Sequence, residues 1–321
     1  MFDALTILLT FRCNFECDHC VFRCSPEREE TIDPDLARAT IDAATAYADP
    51  LALVTFTGGE PFLERDLLRT LIEHADSRGV RSGVVTNAYW ATTVERAKGV
   101  LEPLRERGLS VLTTSIDTFH LDFVESVRVA NAIRAALALG METHLNIVVK
   151  RGVPVRAATA HEVLGLSQEE IADVHVCEFP PTFVGFAADR LRVTDAHRDA
   201  LAVIGEPCLY VLRSATVTPD GSVYGCCGVG GATDHGPSRL LFVGRLAERP
   251  LAELLDEVEG NLLFNIIAKL GPHHLLQLAS RRDPSLELPE RFGHICDVCQ
   301  AIADDAHLRR AVAGVLEDLR S

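Results

Sequence analysis

The sequence is poor in the features that mark membrane, secreted and nucleic-acid-binding proteins. It contains no apolar run long enough to cross a membrane, and its N-terminus lacks the basic region, apolar core and cleavage site of a secretory signal. Basic residues are scarce, 31 against 46 acidic ones, and the net charge of −15 argues against a nucleic-acid surface. We therefore expect a cytoplasmic protein that binds neither membranes nor nucleic acids.

Sequence repeats, low-complexity tracts and coiled-coil heptads are also missing, and the pattern that remains is an alternation of strands and helices. Over the first 180 residues it predicts strands at 5–10, 51–57, 80–87, 109–117, 141–150 and 172–179. It predicts helices between them at 34–48, 64–79, 93–108, 123–140 and within 156–165. Near-continuous apolar strands separated by helices indicate an α/β fold with a parallel sheet covered by helices.

The pattern changes after Pro180-Pro181. A β-hairpin is predicted over 215–226, with its turn at Asp220-Gly221, and helices are predicted at 250–258, 260–270, 273–281 and 300–319. We therefore divide the chain into two domains, 1–190 and 191–321.

Polar and small residues of the first domain follow the carboxyl ends of its predicted strands. In parallel α/β barrels the active site lies at that face, so these residues predict one shared site. They are Cys13, Cys17 and Cys20 after the first strand, Gly58-Gly59-Glu60 after the second, Thr86-Asn87 after the third, Ser115 and Asp117 after the fourth, and Cys177-Glu178 at the sixth.

Because the cytosol keeps thiols reduced, the ten cysteines are not expected to form structural disulfides, and three of them are clustered as Cys13-x3-Cys17-x2-Cys20. Three thiolates next to a strand can bind three irons of a 4Fe-4S cluster and leave the fourth iron open. Two alternatives stay open: a zinc site with Cys24 as fourth ligand, and a redox pair formed by Cys17 and Cys20.

These residues resemble the radical S-adenosylmethionine (SAM) superfamily over residues 5 to about 180. The motif C-x3-C-x-aromatic-C reads Cys13-NFE-Cys17-Asp18-His19-Cys20 here, with His19 where the family more often has Tyr, Phe or Trp. The resemblance implies that Gly58, Gly59 and Glu60 bind the amino group of SAM. It also implies that Ser115 and Asp117 approach its carboxylate and ribose, with Asn87 as a third candidate.

The same resemblance implies a partial (β/α)6 radical SAM barrel that holds a 4Fe-4S cluster and SAM. Its chemistry would be the one-electron reduction of SAM to methionine and a 5′-deoxyadenosyl radical, which removes a hydrogen atom from a substrate carbon. It also implies an electron donor such as a flavodoxin or ferredoxin.

The second domain contributes four further cysteines in the pattern Cys208, Gly221-x4-Cys226, Cys296-x2-Cys299. This set resembles the C-terminal extension called Twitch, which is related to the longer SPASM domain. The resemblance implies one auxiliary 4Fe-4S cluster bound by Cys208, Cys226, Cys296 and Cys299, with Cys227 as a substitute for Cys226. The alternative is a zinc ion bound by the same four thiolates.

Cys24, Cys177 and Cys227 then remain without a ligand role. Unligated cysteines are commonly buried as small hydrophobic residues. However, a thiol beside a substrate radical can donate a hydrogen atom, and Cys177 and Cys227 are our candidates for that role. His120, three residues after Asp117, is a candidate substrate base.

Three classes of function remain open. The first is modification of a ribosomally made peptide by epimerisation, crosslinking or oxidation. The second is oxidation or epimerisation of a small molecule such as an aminocyclitol or aminoglycoside sugar. The third is a non-catalytic iron-sulfur electron carrier, against which the Gly58-Gly59-Glu60 element argues because a carrier would not need it.

Overall fold

The computed structural model describes residues 2–48, 50–152, 155–192, 204–226, 240–288 and 292–320. The strands are β1 (Ala4–Thr10), β2 (Leu53–Gly58), β3 (Arg81–Thr86), β4 (Leu109–Ser115), β5 (Glu142–Val148), β6 (His175–Phe179), β7 (Ser214–Val217), β8 (Ser222–Tyr224) and β9 (Phe242–Arg245). The helices are α1 (Pro34–Tyr47), α2 (Arg65–Ser77), α3 (Val94–Arg105), α4 (Ser126–Ala138), α5 (Ala160–Leu164), α6 (Gln168–Ala172), α7 (Phe186–Arg190), α8 (Leu251–Gly260), α9 (Leu262–Leu270), α10 (Pro272–Arg282), α11 (Ile295–Asp304) and α12 (Ala306–Asp318).

These strands form one sheet in the order β6-β5-β4-β3-β2-β1-β7-β8-β9. The first six strands pair in parallel with their neighbours in sequence, and α1 to α6 form the connections between them. The predicted α/β fold with a parallel sheet of six strands is therefore confirmed. The sequential strand order brings all six carboxyl ends to one edge of the sheet, which is the edge that carries the cysteine motif.

The predicted helix boundaries follow from capping chemistry. At the start of α1, the Asp33 carboxylate accepts hydrogen bonds from the backbone N–H groups of Asp35 and Leu36, both at 2.9 Å, and Pro34 fits the first turn. At the start of α3, Thr93 accepts a hydrogen bond from the N–H of Arg96 at 3.1 Å. The predicted hairpin is also confirmed: β7 and β8 pair antiparallel, and Gly221 has a φ of +75° in the turn.

The C-terminal prediction is wrong in three respects. The predicted single helix at 300–319 is two helices, α11 and α12, because the Asp305 carboxylate accepts hydrogen bonds from the N–H groups of His307 and Leu308 and starts a new helix. The start of α11 was also missed, so Cys296 and Cys299 lie on this helix instead of preceding one. Strand β9 was missed as well, since four residues give too short a pattern to recognise.

The sheet continues from the predicted first domain into the second. Strand β7 pairs in parallel with β1, from Ala4 opposite Ser214 to Ile7 opposite Val217, and β8 and β9 extend the sheet beyond it. The C-terminal part is thus built onto the edge of the six-stranded sheet. The division at 190/191 stays a prediction. Within the described residues, no helix is long and apolar enough to span a membrane.

The end of β2 lies unusually close to the cysteine-bearing loop, residues 11–24, which we call the cluster loop. The N–H of Gly59 donates to the Thr10 carbonyl at 2.7 Å, and the N–H of Glu60 donates to the Arg12 carbonyl at 2.9 Å. A Cβ atom on Gly59 would stand 2.0 Å from the Arg12 oxygen and 3.0 Å from the Cys13 nitrogen. Only glycine allows this approach, which continues the β1–β2 pairing into the cluster loop.

Replacing Gly59 by alanine should therefore destabilise the protein, because backbone atoms on both sides must move apart. We expect Gly59→Ala to lower the free energy of unfolding by about 2 kcal/mol or more. Urea unfolding of the metal-free protein, followed by far-UV circular dichroism, measures this. The matched control is Gly99→Ala in α3, where a Cβ meets nothing within 4 Å and stability should rise slightly. Equal stability of Gly59→Ala and wild type would contradict the close approach.

Candidate functional site

The cluster loop and the strand ends enclose a cavity at the carboxyl edge of the sheet. About 710 Å³ of empty space opens to solvent here, which is within the usual range of ligand sites. Four thiols line it, because Cys24 joins Cys13, Cys17 and Cys20. The other lining residues are Phe15, His19, Val21, Thr57, Gly58, Gly59, Val85, Thr86, Asn87, Ser115 and His120.

Glu60 is fully buried and is not among the described residues that line this cavity. Its carboxylate accepts hydrogen bonds from the N–H of Phe62 at 3.0 Å, the Thr86 hydroxyl at 2.8 Å and the N–H of Asn87 at 2.7 Å. Burial raises its pKa to about 7, although these three donors oppose the shift. A role of Glu60 in binding the amino group of SAM stays a prediction. The carboxylate fastens the end of β3 to the turn after β2.

Asn87 connects the hydrogen bonds of Glu60 to the cluster loop. Its side-chain amide donates to Oδ1 of the Asn14 side chain at 2.9 Å and lies 3.8 Å from the Cys13 sulfur. The Thr86 hydroxyl, in turn, accepts from the Trp90 indole N–H at 3.1 Å. Ser115, at the end of β4, lines the cavity directly.

Asp117 is buried beside the cavity, and its carboxylate is occupied by its own loop. Oδ1 accepts from the N–H groups of Phe119 and His120 at 3.0 Å and contacts His120 Nδ1 at 2.9 Å, while Oδ2 accepts from the N–H of Val148 at 3.3 Å. Burial alone would raise its pKa, but His120 and these hydrogen bonds hold it well below its usual value. Asp117 is not among the described residues that line the cavity, whereas His120 is.

His120 and His19 form an aromatic wall over the cluster loop. The two rings meet edge to face at 4.9 Å between centroids, and Phe119 packs 4.8 Å from His19. Burial opposes a charge on His120, but the Asp117 carboxylate raises the pKa of His120 above its ordinary value. Burial lowers the pKa of His19 to about 4, so this imidazole is neutral at pH 7. Ligand atoms of His19, Asp117 and His120 lie within 4.8 Å of one another.

The cluster-loop sulfurs already accept hydrogen bonds from the backbone. The N–H of Phe15 donates to the Cys13 sulfur and the N–H of Cys24 donates to the Cys20 sulfur, both at 3.4 Å. Burial raises the pKa of Cys13 and Cys17, whereas a hydrogen bond from the Cys24 side chain lowers that of Cys20. Hydrogen bonds to the sulfurs are one means by which proteins set the properties of iron-sulfur clusters.

Two observations indicate that the residues present fit a 4Fe-4S cluster together with SAM. Three thiols, two of which accept backbone N–H bonds, converge on one cavity, which suits a thiolate-bound cluster. Within the described part of the chain, His19 Nδ1 is buried without a hydrogen-bond partner while its side chain lines the same cavity. A buried polar atom of this kind requires a partner, and a polar ligand such as the adenine of SAM can supply one.

The second set of cysteines lies in the C-terminal part of the fold. The N–H of Cys208 donates to the Ile267 carbonyl of α9 at 3.0 Å, and the Cys226 carbonyl accepts from the Thr216 hydroxyl of β7 at 2.8 Å. Cys296 and Cys299 lie one helical turn apart on α11. Between them, Asp297 is buried, and burial raises its pKa to about 6. The ligand role of these four cysteines stays a prediction.

The two hydrogen-donor candidates differ in what the structure can say of them. Cys177 is the middle residue of β6 and pairs in register with Asn146 of β5. The strand ends at Phe179, as the predicted range 172–179 has it, so Cys177 lies two residues before the end of the strand. Among the described residues lining the cavity, Cys177 is absent. Cys227 lies outside the described residues.

Sequence reasoning missed several residues that shape the site. Cys24 was considered only as the fourth ligand of a zinc site and otherwise left without a role, although its spacing of four from Cys20 predicts proximity in a tight loop. Thr86 was noted only as a strand end, and no sequence signal indicates that it holds Glu60. The segment after β6, residues 183–190, carried no motif, yet Phe186 donates its N–H to the Cys20 carbonyl at 2.9 Å.

Comparison with curated proteins finds a relative that spans nearly the whole chain. The putative peptide biosynthesis protein YydG of Bacillus subtilis (strain 168) is 23% identical over 318 residues, which cover 94% of this chain and 92% of that protein. The GTP 3′,8-cyclase of Sulfurimonas denitrificans is 27% identical over 177 residues, half of each chain.

Solved structures share the fold at low sequence identity. A structure titled "Native anSMEcpe with bound AdoMet" is 13% identical, covers 98% of this chain and 99% of its own, and gives a TM-score of 0.56. The same protein "with bound AdoMet and Cp18Cys peptide" gives 0.55. These matches confirm the six-stranded partial barrel with an added C-terminal region. Residues 7–162 match the model of the Radical SAM superfamily.

Proposed function

We propose that this radical SAM enzyme modifies a ribosomally made peptide by epimerisation, crosslinking or oxidation. The observation that carries the proposal is the similarity to the peptide biosynthesis protein YydG, because it extends over the C-terminal part as well as the barrel. The fold shared with a structure that contains SAM and a peptide is consistent with it. The similarity to a GTP cyclase covers only half of the chain and supports the barrel alone.

The chain's own residues prepare the site in three ways. Cys13, Cys17 and Cys20 would bind the cluster, and the backbone N–H groups of Phe15 and Cys24 stabilise negative charge on two of the sulfurs. When bound, a 4Fe-4S cluster supplies the electron that cleaves SAM into methionine and a 5′-deoxyadenosyl radical. Gly58 and Gly59 line the cavity beside the cluster loop, so SAM would meet their backbone atoms.

The wall of His19, Phe119 and His120 shields this space on the side of β4. Asp117 fixes the orientation of His120 through its Nδ1, so Nε2 is left for a cavity ligand. A neutral His19 can accept or donate one hydrogen bond at its partnerless Nδ1, according to its tautomer. These residues exclude water and orient what binds, which is the protein's part in radical chemistry.

We further propose that Cys208, Cys226, Cys296 and Cys299 bind one auxiliary 4Fe-4S cluster. Its role would be to accept an electron when the reaction is a net oxidation. Where the reaction is an epimerisation, a hydrogen atom must instead be returned to the substrate carbon, and Cys177 and Cys227 remain the candidates for its donor. An electron donor such as a flavodoxin or ferredoxin would supply the reducing electron.

Iron content tests the auxiliary cluster. After anaerobic reconstitution we expect about eight irons per chain, four for each cluster. The double variant Cys296→Ser/Cys299→Ser should keep about four and still bind SAM, because its cluster loop is intact. Iron and sulfide analysis with Mössbauer spectroscopy measures both. About four irons in the wild-type protein, or a zinc ion in the second set, would contradict the auxiliary cluster.

Co-expression can identify a peptide substrate. Each short reading frame that lies beside the gene is first expressed in ordinary water, the enzyme is then induced in deuterated water, and the peptides are analysed by mass spectrometry. We expect one peptide to gain a carbon-bound deuterium, as in epimerisation, or to lose two hydrogens, as in oxidation or crosslinking. Unchanged peptides together with turnover of an aminocyclitol or sugar would contradict the peptide proposal and favour a small-molecule substrate.

A further inference from the structure

Residues 183–190 connect the two sets of cysteines, and we call them the bridge segment. They follow β6 and include the short helix α7. One end of the segment contacts the start of α11, and the other contacts the cluster loop. Each end is fixed by backbone hydrogen bonds and by close packing.

At the cluster loop, the contact is made by backbone atoms. The N–H of Phe186 donates to the Cys20 carbonyl at 2.9 Å. Gly185 has a φ of +65°, and a Cβ there would stand 2.3 Å from the Val21 carbonyl oxygen and 2.6 Å from that of Cys20. The bridge segment thus lies directly against the residues that follow the third cysteine.

Charged side chains reinforce this contact. Arg190 forms ion pairs with Glu16 and, at 3.2 Å, with Asp18, the acidic residues on either side of Cys17. In the opposite direction, Arg23 of the cluster loop pairs with Asp189 at 2.5 Å. Both guanidinium groups also lie against the ring of Phe186, at 3.8 Å for Arg190 and 5.5 Å for Arg23.

At the other end, the segment is fastened to α11. The N–H of Phe183 donates to Asp297 Oδ1 at 2.7 Å, while Oδ2 accepts from the N–H groups of Gly293 and His294 at 2.9 and 2.8 Å. A Cβ on Gly293 would stand 2.4 Å from the Phe183 ring. Asp297 is 7% exposed and lies between Cys296 and Cys299.

We propose that the bridge segment positions the cluster loop and the Cys296/Cys299 helix relative to each other, with Arg190 and Asp297 as its two positioning residues. The anchors Phe183 and Phe186 are close in the sequence, so a displacement at one end is transmitted to the other over a short stretch of constrained backbone. If the second set binds a cluster, as proposed above, this segment also fixes the separation of the two clusters.

The two anchors differ in strength. The ion pairs of Arg190 are partly exposed, so each one alone contributes little stability. The strength of this anchor comes from the pairing of Arg190 with both acids together. The Asp297 anchor is buried, and replacing it by asparagine leaves at least one of its three backbone donors without an acceptor. The Asp297 change should therefore have the larger effect.

Hydrogen–deuterium exchange on the full-length, anaerobically purified protein tests the proposal. We expect Asp297→Asn to accelerate exchange roughly tenfold at residues 292–304 and also measurably at 13–24. We expect Arg190→Met to accelerate exchange at 13–24 roughly threefold and also measurably at 292–304. Arg190→Lys should restore part of this effect, because lysine keeps the charge but cannot form the planar fork.

Each variant has a matched control in the same part of the fold. Asp305→Asn removes a carboxylate that accepts two backbone N–H bonds at the start of α12, and Arg249→Met removes an arginine that pairs with Glu253 and Glu257. Neither control should change exchange at 13–24. If each test variant changes exchange only at its own end of the bridge segment, the proposal is wrong. Because exchange is measured without turnover, this result stands whether or not the protein modifies a peptide.

Discussion

The site depends on one close contact, the approach of the Gly58-Gly59 backbone to the start of the cluster loop. Two backbone hydrogen bonds extend the β1–β2 pairing to Arg12, just before the first cysteine. The direction in which the loop leaves the sheet is set there. A side chain at Gly59 would overlap the Arg12 carbonyl, so neither the loop nor the strand end could keep its position.

Glu60 links this close contact to the end of the next strand, β3. Its buried carboxylate satisfies donors from Phe62, Thr86 and Asn87, and Asn87 then reaches Asn14 and the Cys13 sulfur. The strand ends and the cluster loop are therefore joined by hydrogen bonds as well as by packing. A buried carboxylate is costly unless its acceptor sites are filled, and here three donors fill them. The energetic role of Glu60 is thus to hold the loop, and SAM would meet the backbone of this turn.

Much of this arrangement could be predicted from the sequence, because it rests on local patterns. Apolar strand runs, the Asp33 cap, the Asp220-Gly221 turn and the spacing of the three cysteines each have a short-range cause. The hydrogen-bond partners of buried side chains do not have such a cause: Glu60 and Asp117 were named from the sequence, but the bonds that join them to neighbouring strands were not predicted. Their partners, Thr86 and Val148, are distant in the sequence and carry no motif. The bridge segment was missed for the same reason, since its contacts to Cys20 and Asp297 link distant positions.

The central claim is that the cluster loop binds a 4Fe-4S cluster that cleaves SAM. The most direct test is the release of 5′-deoxyadenosine by the reconstituted protein with dithionite and SAM under anaerobic conditions. We expect the wild-type protein to form it and Cys17→Ser, which removes one of the three thiolates, to form none. Equal amounts of 5′-deoxyadenosine from both proteins would contradict the assignment of these cysteines.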